Sequence, residues 1–268
     1  MDNIGFMDNH AVKMIGNNTT DPLTKRELVA IHEQLGKVKD FENPKLALEQ
    51  YMTDRSTAVH FMQLIDRCVG IKEKRVVDLG CGTGMLGIAA LLCEVDHVSF
   101  VDIDADALEV CKETVSELVD DEEITGESEF FNMSVFDFVP ETPPDIIITN
   151  PPFGTKNNEH IDLKFVLAAL NMVDSNGVIF SFHKKCTGDG LLKHVRKVIP
   201  TARGEPLAHI KWTLPKTYSH QMLESKVIEV SVFCWTLCNN INSPLARQPR
   251  ANKSKKDEKP KVRKSKQR

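Results

Sequence analysis

The spacing of apolar residues changes near residue 74 of this 268-residue chain. Before that point apolar residues recur every three or four positions, and this spacing predicts three helices, at 24–38, 43–51 and 56–69. Thr24 and Glu27 stand at the start of the first helix with the spacing of a capping box. The residues before them are mostly polar, so we expect residues 1–22 to form a flexible extension.

After residue 74, short apolar runs alternate with amphipathic segments. The runs predict seven strands, at 74–79, 97–103, 127–135, 144–149, 177–183, 206–214 and 226–237. The segments between them predict helices at 85–93, 105–119, 162–173 and 190–199. This alternation is typical of an α/β fold with a doubly wound, mostly parallel sheet of seven strands. No helix separates the last two strands, which indicates an antiparallel hairpin edge, and we expect one domain over residues 23–238.

The net charge of −4 combines an acidic body with a basic end. Eleven Lys or Arg and two Asp or Glu lie in residues 247–268, so this segment carries +9 and the remainder carries −13. We expect residues 239–268 to form a disordered basic tail. Such a tail attracts nucleic-acid phosphates without reading sequence, or it serves as a nuclear targeting or solubilising segment.

The seven cysteines indicate a reducing compartment. Their number is odd and no Cys-x-x-Cys pair occurs, so neither a disulfide framework nor a zinc site is predicted. The first residues lack the basic and apolar segments of a signal peptide, and no apolar stretch is long enough to span a bilayer. We therefore expect a protein of the nucleus or cytoplasm that has no membrane partner.

A glycine-rich stretch, "DLGCGTGMLG", follows the first predicted strand. Its glycines permit a tight turn and a close approach of a ligand to the backbone. Asp102 lies 20 residues beyond Gly82, where a carboxylate can bind ribose hydroxyls. These features fit a nicotinamide dinucleotide and also S-adenosylmethionine. Asp78 favours the second, because a carboxylate at the strand end can hold the methionine ammonium. The alternative is a glycine-rich turn that binds no ligand.

The stretch "TNPPFGTK" ends the fourth of the predicted strands with polar and ring-bearing residues. In an open α/β sheet ligands bind beyond the carboxyl ends of the strands, so we expect Asn150 beside the glycine loop. Pro151 and Pro152 force an extended path, and the Asn150 oxygen and a nearby carbonyl offer two acceptors to a planar NH₂ group. Phe153 offers a flat face to an aromatic ring. The pattern predicts methyl transfer to an amino nitrogen, in which orientation and electrostatics supply the catalysis. The alternative is a simple loop break capped by Asn150.

Together, "DLGCGTG", "FVDIDADAL" and "NPPFGTKNN" resemble the motifs of adenine-N6 methyltransferases, which are Rossmann-like class I enzymes that use S-adenosylmethionine. The segments "FENPKLALEQYMTDRSTAVHFM", "LPKTYSHQ" and "VIEVSVF" are similar to the eukaryotic 18S ribosomal RNA adenine-N6 methyltransferases, and the resemblance covers about residues 24–236. It implies transfer of a methyl group from S-adenosylmethionine to N6 of an adenosine in 18S rRNA. It also implies a location in the nucleus, with the nucleolus, and in the cytoplasm. The family pairs with a small zinc-binding activator subunit, so a Trm112-like partner is implied.

The resemblance also assigns roles to residues of this chain. It implies that the cofactor is bound by Gln50, Thr53, Asp78, Gly80, Thr83, Met85 and Asp102. It implies that the target adenine is held by Asn150, Pro151, Pro152 and Phe153. The family carries an acid near the end of the third strand that meets the adenine of the cofactor. We expect Asn132, or else Met133 or Ser134, to take that place here.

Three features outside these motifs have open interpretations. His183 ends the fifth predicted strand, and we expect it to make structural hydrogen bonds because methyl transfer to an amine needs no strong base. Lys156 either contacts an RNA phosphate or is a solvated loop residue. The last strand, at 226–237, is hypothesised to be an exposed edge to which the activator adds a strand.

Three other functions compete with the RNA methyltransferase. The first is a protein glutamine N5 methyltransferase, because a glutamine amide presents the same NH₂ group. The second is a ribosome-associated scaffold without catalysis, against which the intact "NPPF" and Asp102 speak. The third is a dehydrogenase that uses the glycine loop for a nicotinamide cofactor.

Overall fold

The computed structural model describes residues 4–6, 21–154, 158–215 and 225–238. The α-helices in these ranges are α1 Lys25–Gln34, α2 Arg55–Val69, α3 Met85–Leu91, α4 Ala105–Asp120, α5 Ile161–Leu170 and α6 Gly188–Val198. The strands are β1 Ile4–Phe6, β2 Arg75–Leu79, β3 His97–Asp102, β4 Glu127–Asn132, β5 Ile146–Thr149, β6 Val178–Lys184, β7 Ala202–Pro215 and β8 Ser225–Leu237. Short 3₁₀ turns cover Leu35–Lys37, Leu46–Leu48 and Lys185–Thr187.

These strands form one sheet in the order β1-β7-β8-β6-β5-β2-β3-β4. The five strands β6, β5, β2, β3 and β4 run parallel to one another. β8 runs antiparallel to β6, β7 runs antiparallel to β8, and β1 runs antiparallel to β7. The predicted doubly wound sheet with an antiparallel edge is therefore confirmed, and each of the seven predicted strands is present. β1 is an additional strand that pairs with β7, and it lies in the segment predicted as an extension. The predicted tail at 239–268 lies outside the described residues.

The hypothesis that the last strand is an exposed edge is wrong. β8 pairs with β6 from Val230 to Thr236, and it pairs with β7 on its other side. Both rows of backbone groups along this stretch are thus occupied, and no partner strand can add there. Among the described strands, the outermost are β1 and β4.

The sheet separates two apolar cores, because successive side chains of a strand point to opposite faces. Val76 and Ile146 pack with helices α1 to α4 on one face. Val77 and Ile147 pack with α5 and α6 on the other face. Burial on both faces explains why the parallel strands are almost continuously apolar in sequence. Within the described residues, no helix combines the length and the apolar character that crossing a bilayer requires.

The upstream helices differ in how well the sequence predicts them. The capping box before α1 is confirmed, since Thr24 Oγ1 accepts from the Glu27 amide and the Glu27 carboxylate accepts from the Thr24 amide. The helix predicted at 43–51 is wrong, because only the turn Leu46–Leu48 forms there. Glu49 adopts a left-handed φ of 53°, which ends that turn. The side-chain oxygen of Gln50 accepts a hydrogen bond from the backbone amide of Lys45, the residue just before this turn.

Candidate functional site

The order of the strands creates a cleft at the carboxyl ends of β2 and β5. From β2 the chain continues to β3 and β4 on one side, and it then crosses to β5 and β6 on the other. Val76 pairs with Ile146 across this switch point, so the loops that follow β2 and β5 diverge from adjacent strands. Divergent loops at such a point form the usual ligand-binding crevice of a doubly wound sheet.

A cavity of about 240 Å³ occupies this cleft and has two walls. The sheet wall consists of lining residues from 78–86, 102–103 and 150–152. The upstream wall consists of lining residues from 41–53. The remaining lining residues are Ser134, Val135, Phe136, Asn158, Ile161 and Phe165.

The glycine loop of the sheet wall depends on left-handed backbone. Gly80, Gly82 and Gly84 have φ angles of 72°, 55° and 93°, which other residues adopt at a steric cost. A Cβ atom on Gly82 would lie 2.7 Å from Cζ of Phe41, so this glycine also permits the two walls to touch. Thr83 and Met85 follow in the loop, and both are buried and line the cavity.

Asp78 is a buried acid whose carboxylate lies beneath the loop. It is 1% exposed, and its Oδ2 accepts from the Gly87 amide at 2.8 Å. Burial raises the pKa of Asp78, the hydrogen bond from Gly87 opposes the shift, and the nearby Asp102 adds to it, so that the pKa lies at about 7. A positively charged ligand group beside Asp78 would stabilise the ionised carboxylate.

Asp102 holds the glycine loop against the end of β3. Its Oδ2 accepts from the Gly82 amide at 2.7 Å, and its Oδ1 accepts from the Asp104 amide at 2.8 Å. Burial raises the pKa of Asp102, although both hydrogen bonds act in the opposite direction. The side chain lines the cavity, and a carboxylate keeps further acceptor positions for hydroxyl groups of a ligand.

Side chains attach the upstream wall to the rest of the site. Gln50 is buried and lines the cavity, and its Nε2 donates to Asp104 Oδ2 at 2.6 Å. The Lys45 ammonium contacts Asp104 Oδ1 and lies 2.8 Å from Asp106 Oδ2. The Asn158 side chain donates to the carbonyl of Ala47 at 3.0 Å. Asp104 also caps α4, because its side chain accepts from the Asp106 amide.

Asn150 joins the two walls at the end of β5. Its Nδ2 donates to Oγ1 of Thr53 at 3.1 Å, which fixes the rotation of the side-chain amide. No donor of the described residues is found on its Oδ1, so this acceptor is available to a ligand. Pro151 is buried, and Pro152 lines the cavity beside Asn150.

Phe153 lies next to this cavity but not in its lining. Its ring meets Trp212 edge to face, with 6.4 Å between centroids, and it packs on the core. The Lys184 ammonium lies over the same ring, 5.9 Å from the centroid. The structure therefore places Phe153 against Trp212 and Lys184, outside the lining of the cavity.

The residues at the end of β4 are arranged differently from the expectation. Asn132 is exposed and does not line the cavity, and its Nδ2 donates to the carbonyls of Asp102 and Ile103 at 3.2 Å each. Ser134, one of the two alternatives, lines the cavity, whereas Met133 does not. Asn132 thus supports the backbone around Asp102.

Sequence reasoning missed several apolar residues of the lining. Phe41 packs on Gly82, and Phe136 meets Phe165 edge to face at 5.6 Å. Phe136 is 48% exposed and Ile103 is 58% exposed, which is unusual for residues of this size. These residues lie on separate segments, so no local motif marks them. The one signal in the sequence is an aromatic residue in a loop that is otherwise polar, as at Phe41.

His183 makes structural hydrogen bonds in a buried network, as expected. Asp162 Oδ2 lies 3.2 Å from Nδ1, and Ser181 Oγ lies 2.8 Å from Nε2. Burial lowers the pKa of His183, so the ring is neutral. A carboxylate only accepts, so Nδ1 carries the hydrogen and the Ser181 hydroxyl donates to Nε2. Trp235 Nε1–H in turn donates to the Ser181 oxygen at 2.8 Å.

Comparison with known proteins agrees with this geometry. The family profile "Methyltransferase small domain" matches residues 50–197, which include the sheet wall of the cavity and run from Gln50 into α6. The rRNA N6-adenosine-methyltransferase metl-5 of Caenorhabditis elegans is 38% identical over 202 residues, which are 74% of this chain and 91% of that protein. The rRNA N6-adenosine-methyltransferase METTL5 of Danio rerio is 31% identical over 221 residues, which are 78% of this chain and 99% of that protein.

A solved structure supports the same relationship. PH1948 of Pyrococcus horikoshii, a proposed RNA methyltransferase, superposes with a TM-score of 0.67 and 29% sequence identity. The superposition covers 81% of this chain and 99% of that protein. The likeness therefore extends over most of this chain and not only over the glycine loop.

Proposed function

We propose a function from one premise: the chain belongs to the methyltransferase small domain family, and within it to the rRNA N6-adenosine-methyltransferases. It transfers a methyl group from S-adenosylmethionine to N6 of an adenosine in ribosomal RNA. We further propose that this RNA is 18S rRNA and that the enzyme acts in the nucleolus, elsewhere in the nucleus and in the cytoplasm.

The observation that carries the proposal is the orientation of the Asn150 amide. Because Thr53 accepts from its Nδ2, its Oδ1 stays available as an acceptor. An adenine amino group has two hydrogens in one plane, so Oδ1 binds one and a main-chain carbonyl of the Pro151–Pro152 segment binds the other. The nitrogen lone pair then points out of the plane of the amino group, toward a methyl donor in the cavity.

The residues of the cavity fit S-adenosylmethionine. Asp78 offers a buried carboxylate to the ammonium of the methionine part, and Asp102 offers acceptors to the ribose hydroxyls. Ile103 and Phe136 provide exposed apolar surface for the adenine ring. Gly80, Thr83 and Met85 line the cavity and would hold the cofactor there, and Gln50 lines it from the upstream wall.

The cofactor would supply an electrophilic methyl group whose leaving group is a neutral thioether, and the amino nitrogen that takes the methyl group gives up one of its two hydrogens as a proton to water. The protein therefore has three tasks: to bind, to orient and to exclude water. Asn150 and the Pro151–Pro152 segment orient the adenine, which must leave its stack in the RNA to reach them. His183 takes no part as a base, because it is fully buried beneath the site and is bound to Ser181 and Asp162.

We propose that the partner is a small zinc-binding activator of the Trm112 type and that it adds a strand to β4. β4 is six residues long and is an outermost strand of the sheet, whereas the outermost strand at the other end, β1, has three residues. An edge strand with an exposed row of backbone groups is a usual docking site for a partner strand. Size-exclusion chromatography of the co-expressed pair measures this association.

The proposal is tested by mass spectrometry of nucleosides from purified 18S and 28S rRNA. Cells that lack the gene should lose N6-methyladenosine from 18S rRNA, and the wild-type gene should restore it. Asn150→Ala should fail to restore it, with kcat in vitro reduced about 10²–10³-fold, because one preorganised hydrogen bond to the reacting group is lost. Asn176→Ala is the matched control, since Asn176 is exposed in the turn before β6.

The same material separates the competing functions. Purified protein is incubated with labelled cofactor and either rRNA from the deletion cells or a protein extract. Label in protein alone would establish the glutamine N5 methyltransferase and contradict the proposal. Unchanged N6-methyladenosine in cells that carry only Asn150→Ala would favour the scaffold.

A further inference from the structure

We propose that Lys184 and Phe153 form a second binding site beside the cavity, which takes the phosphate that flanks the target adenosine. The inference rests on the proposed function, since it presumes an RNA substrate. It assigns to Lys184 a direct contact with an RNA phosphate oxygen. It assigns to Phe153 the support of both the lysine side chain and the base.

The position of Lys184 follows from the register of the sheet. Thr149 of β5 lies opposite Ser181 of β6, and β6 continues for three more residues to Lys184. The loop that begins at Asn150 leaves β5 at the same end. Lys184 therefore ends β6 while Asn150 follows the parallel neighbour β5, and both lie at the edge of the sheet where the RNA must approach.

Phe153 fixes where the ammonium lies. Lys184 is half-buried, and its Nζ is 5.9 Å from the centroid of the Phe153 ring, within the range of a cation–π contact. Trp212 supports the ring from the side at 6.4 Å. A flexible lysine is thus held beside the "NPPF" segment, and less conformational entropy is lost when it binds a phosphate.

The surrounding charges distinguish Lys184 from nearby lysines. Lys185 pairs with Glu229 at 3.4 Å, and Lys45 pairs with Asp104 and Asp106. No carboxylate of the described residues lies within ion-pair distance of Lys184. The chain outside residues 247–268 carries a net charge of −13, which repels RNA. An ammonium without a counter-ion at the active site offsets this repulsion where the target nucleotide binds.

The chemistry of a lysine suits this role. An ammonium is a compact charge with three donors, which binds a phosphate in many orientations and reads no base. Release of the condensed counter-ions then makes binding depend on salt. Lys184 therefore contributes to affinity for RNA around the target, and it leaves the binding of S-adenosylmethionine unchanged.

The experiment compares Lys184→Gln, Lys184→Arg and Lys185→Gln in the full-length protein. Each variant is titrated with unmethylated rRNA from deletion cells over a series of salt concentrations, and S-adenosylmethionine affinity is measured in parallel. For Lys184→Gln we expect the slope of log affinity against log salt to fall by about 0.7 to 1. We expect kcat/KM for RNA at low salt to fall about fivefold, because KM rises while kcat stays the same. Lys184→Arg should keep the wild-type slope, and Lys185→Gln should differ from wild type by less than about twofold.

Equal slopes for Lys184→Gln and wild type would overturn the inference, and so would equal effects of Lys184→Gln and Lys185→Gln. A parallel loss of S-adenosylmethionine affinity would also overturn it, because it would reveal a structural role for the side chain. The binding titration needs no turnover. If wild-type protein binds RNA with the expected slope but methylates none, the proposed function fails while the phosphate site stands.

Discussion

The sheet wall of the cavity is made of backbone positions that strand register fixes, whereas the upstream wall is held in place by side chains. Asp78, Asp102 and Asn150 end adjacent strands, and their relative positions follow from the pairing of β2 with β3 and β5. The upstream wall has a single short turn at Leu46–Leu48 and is attached through Lys45 and Gln50.

This difference predicts different roles for the sheet wall and the upstream wall. A sheet with a core on both faces deforms little, so the sheet wall keeps the acids and the amide at fixed distances. The upstream wall depends on a few polar contacts, which break and form at low cost. We therefore expect substitutions in the sheet wall to affect folding or chemistry, and substitutions at the contacts of the upstream wall to affect cofactor retention.

The largest effect is expected where the two walls touch. Gly82→Ala places a side chain in left-handed backbone and brings its Cβ to 2.7 Å from Phe41. The backbone strain alone should reduce the free energy of unfolding by about 1–2 kcal/mol. Displacement of Phe41 should weaken S-adenosylmethionine binding as well. Chemical denaturation and calorimetric titration measure the two effects.

Gly190→Ala is the matched control for this substitution. Gly190 lies in α6, and an added Cβ would meet no atom within 4 Å. Because alanine favours the helix, this variant should gain up to about 1 kcal/mol of stability. A stability like that of Gly190→Ala would contradict the left-handed backbone at Gly82, and an unchanged affinity for S-adenosylmethionine would contradict the contact between the two walls.

The next effect concerns the pH dependence of the sheet wall. With a pKa of about 7, Asp78 is largely protonated at pH 6 and largely ionised at pH 8. If the cofactor ammonium binds only the ionised acid, its affinity should rise about tenfold between about pH 5.5 and pH 7, with release of a proton, and this range lies below the pH of about 8 at which the ammonium itself loses its proton. Asp78→Asn should abolish the rise. Calorimetry in buffers of different ionisation enthalpy counts the proton, and an affinity independent of pH would contradict the assignment of Asp78.

The raised pKa of Asp78 also makes the stability of the folded protein depend on pH. The pKa of Asp78 is raised from 3.8 to about 7 in the folded protein, so the native state binds more protons than the unfolded chain in that range. The contribution of this group to stability is therefore lost as the pH rises from 3.8 to about 7 in the absence of cofactor.

The smallest effect is expected at the attachment of the upstream wall. Asp104→Asn keeps a residue that caps helices well but removes the charge that binds Lys45. We expect S-adenosylmethionine affinity to fall about fivefold with little change in thermal unfolding, since the Lys45 side chain is 44% exposed and a pair that solvent screens on one side contributes up to about 1 kcal/mol. Asp106→Asn is the control, because that side chain is 81% exposed. Equal effects of the two variants would assign the loss to general charge rather than to the wall.

The sequence predicted the sheet wall because local patterns encode it. Apolar runs marked β2, β3 and β5, and the rule for ligands at strand ends brought Asp102 and Asn150 together. It did not predict the upstream wall correctly, since the Gln50 side chain binds the backbone amide of Lys45 where a helix was expected. It also did not predict the surroundings of Phe153, because Trp212 and Lys184 reach it from strands that are distant in sequence. Contacts between distant segments leave no periodic pattern.

The hydrogen-bond chain from Trp235 to Asp162 has a fixed polarity. An indole can only give a hydrogen and a carboxylate can only take one, so the chain has no reversed form of equal energy. The first turn of α5, which follows the loop after β5, is therefore anchored to β6 and β8 by a single bonding pattern. Any rearrangement of this face during turnover therefore has to leave the contact of α5 with β6 and β8 in place.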